Sequence, residues 1–565
     1  MKIPPYGPMS CSLRALAATV LAALLMLSAC GNPDSPAAGI PPSASSGQVV
    51  GGSPTSVSYY AAARFAEQAT FGATPATIAD IRSKGYTAWI DAQLALPVSK
   101  IDLTPYLGYL DVQPPEEHQH YRAEFPALAV GAADQLRLRM TWALSQFIVV
   151  SDRKVDATGT LHWINLLQDK SLGRYGDLLY AISVSPEMGI YLDNNQNRPK
   201  SAECPHCAPN ENFARELMQL FSLGVQKLNP DGTPIKDTQG RWVETYSQRD
   251  VEELARVLTG WQHDPEPQGR PNRNWANYGK PMVPTTWPPE RDSGAKTVLG
   301  KTFPAGQTQQ KDLQDAVAML TAHQNTAPFV SLRLIQHLVK SNPTPAYVGR
   351  VAAKFRDNGA GVAGDMKAVV KAVLLDAEAR AGDNPATARA DDGKLREPLL
   401  QLAALWRGLG CSRFPVDPNG WTGVPPNQSP FSAESVFSYY APTDRAPGSN
   451  LLAPEQRLLT AQELTSRLNQ GNGYRWNWKQ NRSSLDAFVA AGCEVQPLVD
   501  AYARSPRDFS DYVAPRYFRG AMPPTLRTNI EQLIRQPQWN VNDPYEGPLL
   551  MLDFALSTPY FGVIK

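Results

Sequence analysis

The stretch Ser247-Gln248-Arg249-Asp250-Val251-Glu252-Glu253-Leu254-Ala255-Arg256-Val257-Leu258-Thr259-Gly260 decides how the rest of the chain is read. Ser247 is a capping residue, and Asp250 stands three positions later, where its carboxylate can bond back to the Ser247 amide. The apolar residues between recur with helical period, and Gly260 is a stop signal. The pattern predicts a helix from the Ser247 cap to Thr259. Thr74-Pro75, Ser185-Pro186 and Ser505-Pro506 repeat the logic, each placing a capping residue before a proline at the first helical position. Asp508 stands where it could complete a second capping box.

Working outward, the same periodicity predicts helices at 134–151, 309–323, 327–341, 345–358, 366–376, 394–409, 453–468 and 525–535. Strand signals are few. The best is a hairpin around 226–245, with Asp231-Gly232 and Gln239-Gly240 as turn pairs. The fold expected is mainly α: a large multi-helix globular body with long Pro/Gly/aromatic-rich loops and at most a small β-hairpin. Fifty prolines and 40 glycines imply many shaped loops. Two long ones stand out, 262–307 with Trp275, Tyr278 and Trp287, and 411–450 with Trp421, Phe431, Phe437, Tyr439 and Tyr440. Their aromatic content predicts packed loops that shape a surface or cleft.

With 565 residues, 42% of them hydrophobic, the chain can bury a large core. Its 54 basic and 53 acidic residues nearly cancel, which argues against nucleic acid as a partner. Lys2 and Arg14 precede the apolar run Ala15 to Ala29, too short for a comfortable membrane span and read as a signal peptide, residues 1–29. It ends Leu27-Ser28-Ala29-Cys30, which resembles a bacterial lipobox, so Cys30 is the expected lipidation site. Residues 30–57, rich in Pro, Ser, Gly and Ala, read as a lipidated tether, and 58–565 as the folded body. A sub-boundary near 410 would set off a C-terminal part, 411–565. The expected location is the bacterial cell envelope, facing the periplasm or exterior, with the membrane as a partner through the anchor.

That location is oxidising, so thiols tend to pair. Cys11 leaves with the signal and Cys30 is acylated, which leaves Cys204, Cys207, Cys411 and Cys493. Four cysteines allow three pairings; the simplest is Cys204 with Cys207 and Cys411 with Cys493. Cys204-Pro205-His206-Cys207 also resembles the active-site sequence of periplasmic thiol oxidases, and it could supply part of a metal site. A thioredoxin-like strand context is missing, however, and no second close ligand pair completes a zinc site. No metal and no cofactor are expected: His118-Gln119-His120 is the only close histidine spacing, and phosphate-loop, dinucleotide and nucleophile-elbow motifs are missing. His337, one turn after Arg333 in an apolar helix, reads as a satisfied, partly buried histidine.

The candidate site lies on the helix that begins near Asn210. Phe213, Leu217, Leu220 and Phe221 form its buried face. Glu211 and Arg215, and Asn212 and Glu216, are each four apart and form two polar rows beside that face. The bland reading is two weak surface pairs. The sharper one joins Asn210, Glu211, Asn212, Arg215 and Glu216 to Asp250, Glu253 and Arg256 of the next helix, with Trp261 beyond it, as a polar network. In that network Glu211, Glu216 and Asp250 could share acid and base roles, provided their environments set their pKa values apart.

Several phrases resemble one bacterial secreted family, domain-of-unknown-function family 1800. They are Ala63 to Thr74, Asn210 to Met218, Tyr246 to Val251, Leu258 to Trp261, Thr326 to Val330, Lys394 to Pro398, Ser435 to Pro442 and Leu452 to Glu455. The resemblance spans essentially the whole mature chain and implies little about activity. It does suggest a partner, a secreted protein of domain-of-unknown-function family 1501. Many relatives carry Phe-Trp-His-x-His-Phe on the helix that corresponds to Met140–Val150, whereas this chain has Met140-Thr141-Trp142-Ala143-Leu144-Ser145-Gln146-Phe147, with no histidine. The function expected is a binding or assembly role at the envelope. The alternatives are an extracytoplasmic hydrolase with a carboxylate/Arg site and a thiol-disulfide oxidoreductase working through Cys204 and Cys207. The ligand, small molecule or polymer, is not specified by the sequence.

Overall fold

In the computed structural model of the protein, the described residues are 57–109, 121–265, 277–389, 391–415, 426–465, 490–536 and 544–565. The signal peptide, Cys30, all of the tether except residue 57, His118, His120, Trp275 and Trp421 lie outside them. Ser56–Lys565 forms one compact unit. It is mainly α, with only three small two-stranded sheets among the described residues.

The predicted caps are present. Thr74 accepts from the amide of Thr77, Ser185 from Met188 and Ser505 from Asp508. At Ser247 both halves of the capping box form, and the helix runs Gln248–Val257 before Gly260 turns the chain with φ 86°. Asp508 instead bonds Arg504. The core is built where these short helices bury aromatic and aliphatic faces, among them Phe65, Phe71, Phe125, Trp142, Trp163 and Phe213. Across position 410, the Tyr517 hydroxyl of Pro506–Tyr517 donates to the Leu405 carbonyl of Pro398–Gly408 at 2.9 Å.

Three expected elements differ. The helix predicted from Lys394 begins at Pro398, because Pro398 suits the first helical turn and Lys394–Leu395 pairs as a strand with Val563–Ile564. Gly393, with φ 90°, permits this: a Cβ there would lie 2.1 Å from the Ile564 carbonyl oxygen. Of the span 453–468, Pro454–Leu458 forms a short 3-10 turn, helix begins only after Thr460 and covers 461–465, and 466–468 lie outside the described residues. Around 226–245 the chain pairs antiparallel through isolated bridges, Gln226 to Glu244, Leu228 to Pro234 and Lys236 to Trp242, rather than through regular strands, and among the described residues the hairpin of regular strands is Lys296–Val298 with Lys301–Phe303. Of the long-loop aromatics, Tyr278, Phe431 and Tyr440 are buried, whereas Trp287 and Phe437 are exposed. Among the described residues no helix is long and apolar enough to cross a membrane.

Candidate functional site

The helix carrying the predicted site is Asn212–Gln219, and it is positioned by asparagine side chains. Asn197 accepts from the Asn210 amide at 2.7 Å and donates to the Asn210 carbonyl at 3.3 Å, so one side chain closes the loop that leads into the helix. The Asn197 carbonyl accepts from Gly260, Gln196 donates to the Trp261 carbonyl, and the Asn195 side chain accepts from the His263 amide. Asn212 donates to Asp193 at 3.0 Å. Asp193 and Gln196 hold left-handed backbone, φ 59° and 57°, which turns the loop back on itself so that it reaches all these partners. Asn210, Asn212 and Trp261 are thereby brought to one hub. The asparagines of 193–197 are the sequence signal for this hub, since Asn tolerates left-handed backbone and can bond backbone on both its amide faces.

Beside the hub, Glu211 and Arg215 form the predicted pair at 2.8 Å, half-exposed, and Gln248 of the next helix bonds both. Asn212 and Glu216 do not pair. Glu216 turns inward to 9% exposure, and its Oε2 has no partner among the described residues. Burial pushes its carboxyl up to about 7, against the pull of the Arg215 charge. Burial and then the Glu216 charge in turn raise the Tyr191 and Tyr246 phenols to about 12. Glu187, in the first turn of Pro186–Tyr191, is a second such acid: burial lifts it to about 8, and its Oε2 is also unpartnered among the described residues. Its neighbour Asp156 accepts from the Tyr278 hydroxyl at 2.8 Å.

Asp250, Glu253 and Arg256 face elsewhere. Asp250 closes the capping box and accepts from the Leu299 amide at 2.7 Å; Glu253 accepts from the Thr297 amide; Arg256 pairs with Glu253 and Asp292. These bonds seat the Lys296–Phe303 hairpin. Partial burial opposes it, but the bonds from Ser247 and Leu299 hold Asp250 below its ordinary value. Among the described residues no hydrogen bond or ion pair joins this trio to Glu211 or Glu216; Gln248 alone links the two helices' polar rows.

Both disulfides of the simplest pairing are present, Cys204–Cys207 and Cys411–Cys493. The helix begins only at Asn212, so neither Cys204 nor Cys207 sits at a helix N-terminus where a thiolate would be favoured. Among the described residues no group of three or more His, Cys, Asp or Glu side chains could hold a metal ion.

A second polar centre was not anticipated. Lys394 is fully buried and reaches Glu397 at 2.8 Å, Glu455 at 3.0 Å and the His337 carbonyl at 3.2 Å. Glu397 also accepts from Trp142 Nε1 at 3.1 Å and Gln428 at 2.8 Å. Burial alone would raise Glu397, but the Lys394 charge and bond prevail and hold it at about 2. Arg139 donates to the same His337 carbonyl at 3.2 Å, and the Tyr440 phenol faces Glu397 and Glu455. Two residues on, Arg396 bonds Glu67 and the Phe561 carbonyl, tying both ends of the body to this strand. The signal was at hand: Lys394 to Pro398, Ser435 to Pro442 and Leu452 to Glu455 meet here, and each carries a charged or phenolic residue in otherwise apolar surroundings.

Against known proteins, a model of the family described as "Protein of unknown function (DUF1800)" matches residues 64–563. No curated protein and no solved structure matches the chain.

Proposed function

We propose a binding or assembly role at the bacterial cell envelope for this chain, which belongs to the family of unknown function DUF1800. The observation that carries it is the division of the carboxylates. Asp250 and Glu253 are spent on seating a hairpin, while Glu211, Arg215 and Gln248 form a half-exposed polar triad on two rigid helices. A pre-organised surface of this kind suits recognition, because its groups need little ordering on contact. The lipobox-like Leu27-Ser28-Ala29-Cys30 supports an anchor that would hold this surface near the membrane. The partner expected is a secreted protein of domain-of-unknown-function family 1501. The test mixes the two purified proteins and follows complex formation by gel filtration. A complex with the natural protein, weakened at least tenfold by Arg215→Glu, supports the reading; no complex removes that partner. Labelling cells with a palmitate analogue tests the anchor, with Cys30→Ser expected to abolish incorporation.

One observation favours a second reading, an envelope hydrolase: Glu216 is buried, lifted to about 7 and has an oxygen without a partner, as a general acid requires. Release of fragments from purified cell-wall polymer by the natural protein, but not by Glu216→Gln, would establish it.

A further inference from the structure

Three arginines of this chain show what the side edge of a guanidinium does when an acid is at hand. Arg256 holds both oxygens of Asp292 through Nε and Nη2, at 2.7 and 3.2 Å. Arg350 does the same to Asp376, at 2.7 and 2.8 Å, and Arg389 to Asp391, at 2.9 and 3.0 Å. The two N–H groups of this edge point the same way, so one carboxylate takes both. Arg333, in helix Thr326–Leu338, presents the same edge, and no side chain among the described residues takes it. Only its Nη1 is spent, donating to the Gln336 side chain at 2.9 Å.

The rest of Arg333 is fixed. Its guanidinium lies over the Phe329 ring at 5.2 Å, and that ring is seated against Gly224, where an added Cβ would come within 2.9 Å of it. Gln336 is buried, accepts the Arg333 bond and donates from Nε2 to the Ser341 carbonyl at 3.3 Å, so turning away would cost it a buried partner. The Arg333 side chain is only half-buried, and neither Nε nor Nη2 is sealed from solvent. Burial lowers its guanidinium to about 10, and no charged neighbour opposes the fall. A partly desolvated cation without a counter-charge is costly to keep, and an anion that meets a fixed fork has little left to order.

We propose that the Nε and Nη2 edge of Arg333 binds the carboxylate of a small molecule through both its oxygens, with Gln336 and Phe329 as positioning residues. A carboxylate fits the edge better than a single-atom anion such as chloride, because two parallel donors match two oxygens. The site is independent of the Glu211–Arg215 surface. It lies on another helix, and its failure leaves the proposed partner binding untouched.

The experiment labels the arginines of the mature natural protein with phenylglyoxal, which condenses with a free guanidinium, and maps them by mass spectrometry. Acetate is raised against chloride at equal ionic strength. Labelling of Arg333 should slow saturably, by about tenfold, while that of the exposed Arg249 stays unchanged. A parallel series with inorganic phosphate tests the class. Protection by phosphate but not by acetate overturns the carboxylate assignment, and so does protection by neither or equal protection of Arg249. Gln336→Glu sets a carboxylate of the chain's own beside Nη1. It should raise the acetate concentration for half-protection about tenfold, the worth of one charge-assisted hydrogen bond. An unchanged half-point in that variant would overturn the claim that Arg333 is short of a counter-charge. The acetate series on the natural protein decides alone if the variant does not fold.

Discussion

At Glu397 a buried carboxylate receives three donors, Lys394, Trp142 and Gln428; at Glu216 another buried carboxylate has an oxygen that receives none. The first is held at about 2 and the second lifted to about 7, so the same side chain is locked ionised in one place and kept close to neutrality in the other. The difference lies in what the surrounding segments bring. Lys394 and Glu397 lie on the strand-to-helix turn that gathers the chain's distant parts, and Glu216 lies on a helix whose own cation, Arg215, points outward to Glu211 and Gln248. One centre stabilises, and the other keeps a group available.

The largest effect should come from breaking the first centre. Lys394→Met leaves Glu397 and Glu455 buried without their cation, and removing one partner of a buried ion pair costs about 3–5 kcal/mol. Urea unfolding should show a lower midpoint at an unchanged slope. A loss below about 1 kcal/mol would mean that the pair is no more than the surface kind and would erase the contrast.

The two kinds of acid should also answer pH in opposite directions. Glu187 and Glu216 have folded values of about 8 and about 7 against an ordinary 4.5, so the folded protein binds more protons than the unfolded chain between those limits. Stability from these groups is full below 4.5 and falls as pH rises through about 7 to 8. Glu397 is depressed to about 2, so its contribution is full above 4.5 and is lost as pH falls toward 2. The melting temperature of the double variant Glu187→Gln/Glu216→Gln should be flatter than that of the natural protein from pH 5 to 8 and should keep the acid loss. An unchanged alkaline limb would show that neither acid is the group that titrates there.

How much of this was legible in the sequence depends on how local the cause is. Ser247 and Asp250 stand three apart in one turn, so their box could be read directly, and the Glu211–Arg215 pair likewise needs only helical spacing. The cysteine pairing followed from counting in an oxidising setting. The inward turn of Glu216 was not legible, because spacing places it beside Asn212 and only the hub, which draws Asn212 to Asp193, separates them. Lys394 was misread as helical for a related reason: its strand partner lies at Ile564, and no local pattern announces a pairing across that distance. Ions joined by tertiary contact were invisible; ions joined by a helical turn were not.

Within the second region, the hub can be separated from the surface it supports. Asn197→Ala removes both bonds to Asn210 and leaves the Asn210 amide and carbonyl without their partner, at about 1–3 kcal/mol. Hydrogen exchange should show the amides of 210–213 opening earlier than those of the rest of the helix. Equal protection along the helix would show that packing of Phe213 and Leu217, and not Asn197, fixes its start.

The smallest effect should be on the surface itself. Arg215→Ala breaks the pair to Glu211 and the bond to Gln248, but all three groups are partly hydrated already, and exposed pairs of this kind contribute about 0.2–1 kcal/mol. A double-mutant cycle of Arg215→Ala with Glu211→Ala isolates the pairwise term, which should shrink further in 1 M salt, where screening acts within about 3 Å. Loss of partner binding in Arg215→Ala, with stability nearly unchanged, would mark the triad as a recognition surface. A coupling above about 2 kcal/mol that survives salt would instead make the triad a second structural lock like Lys394, and the division between a stabilising centre and an available one would no longer hold.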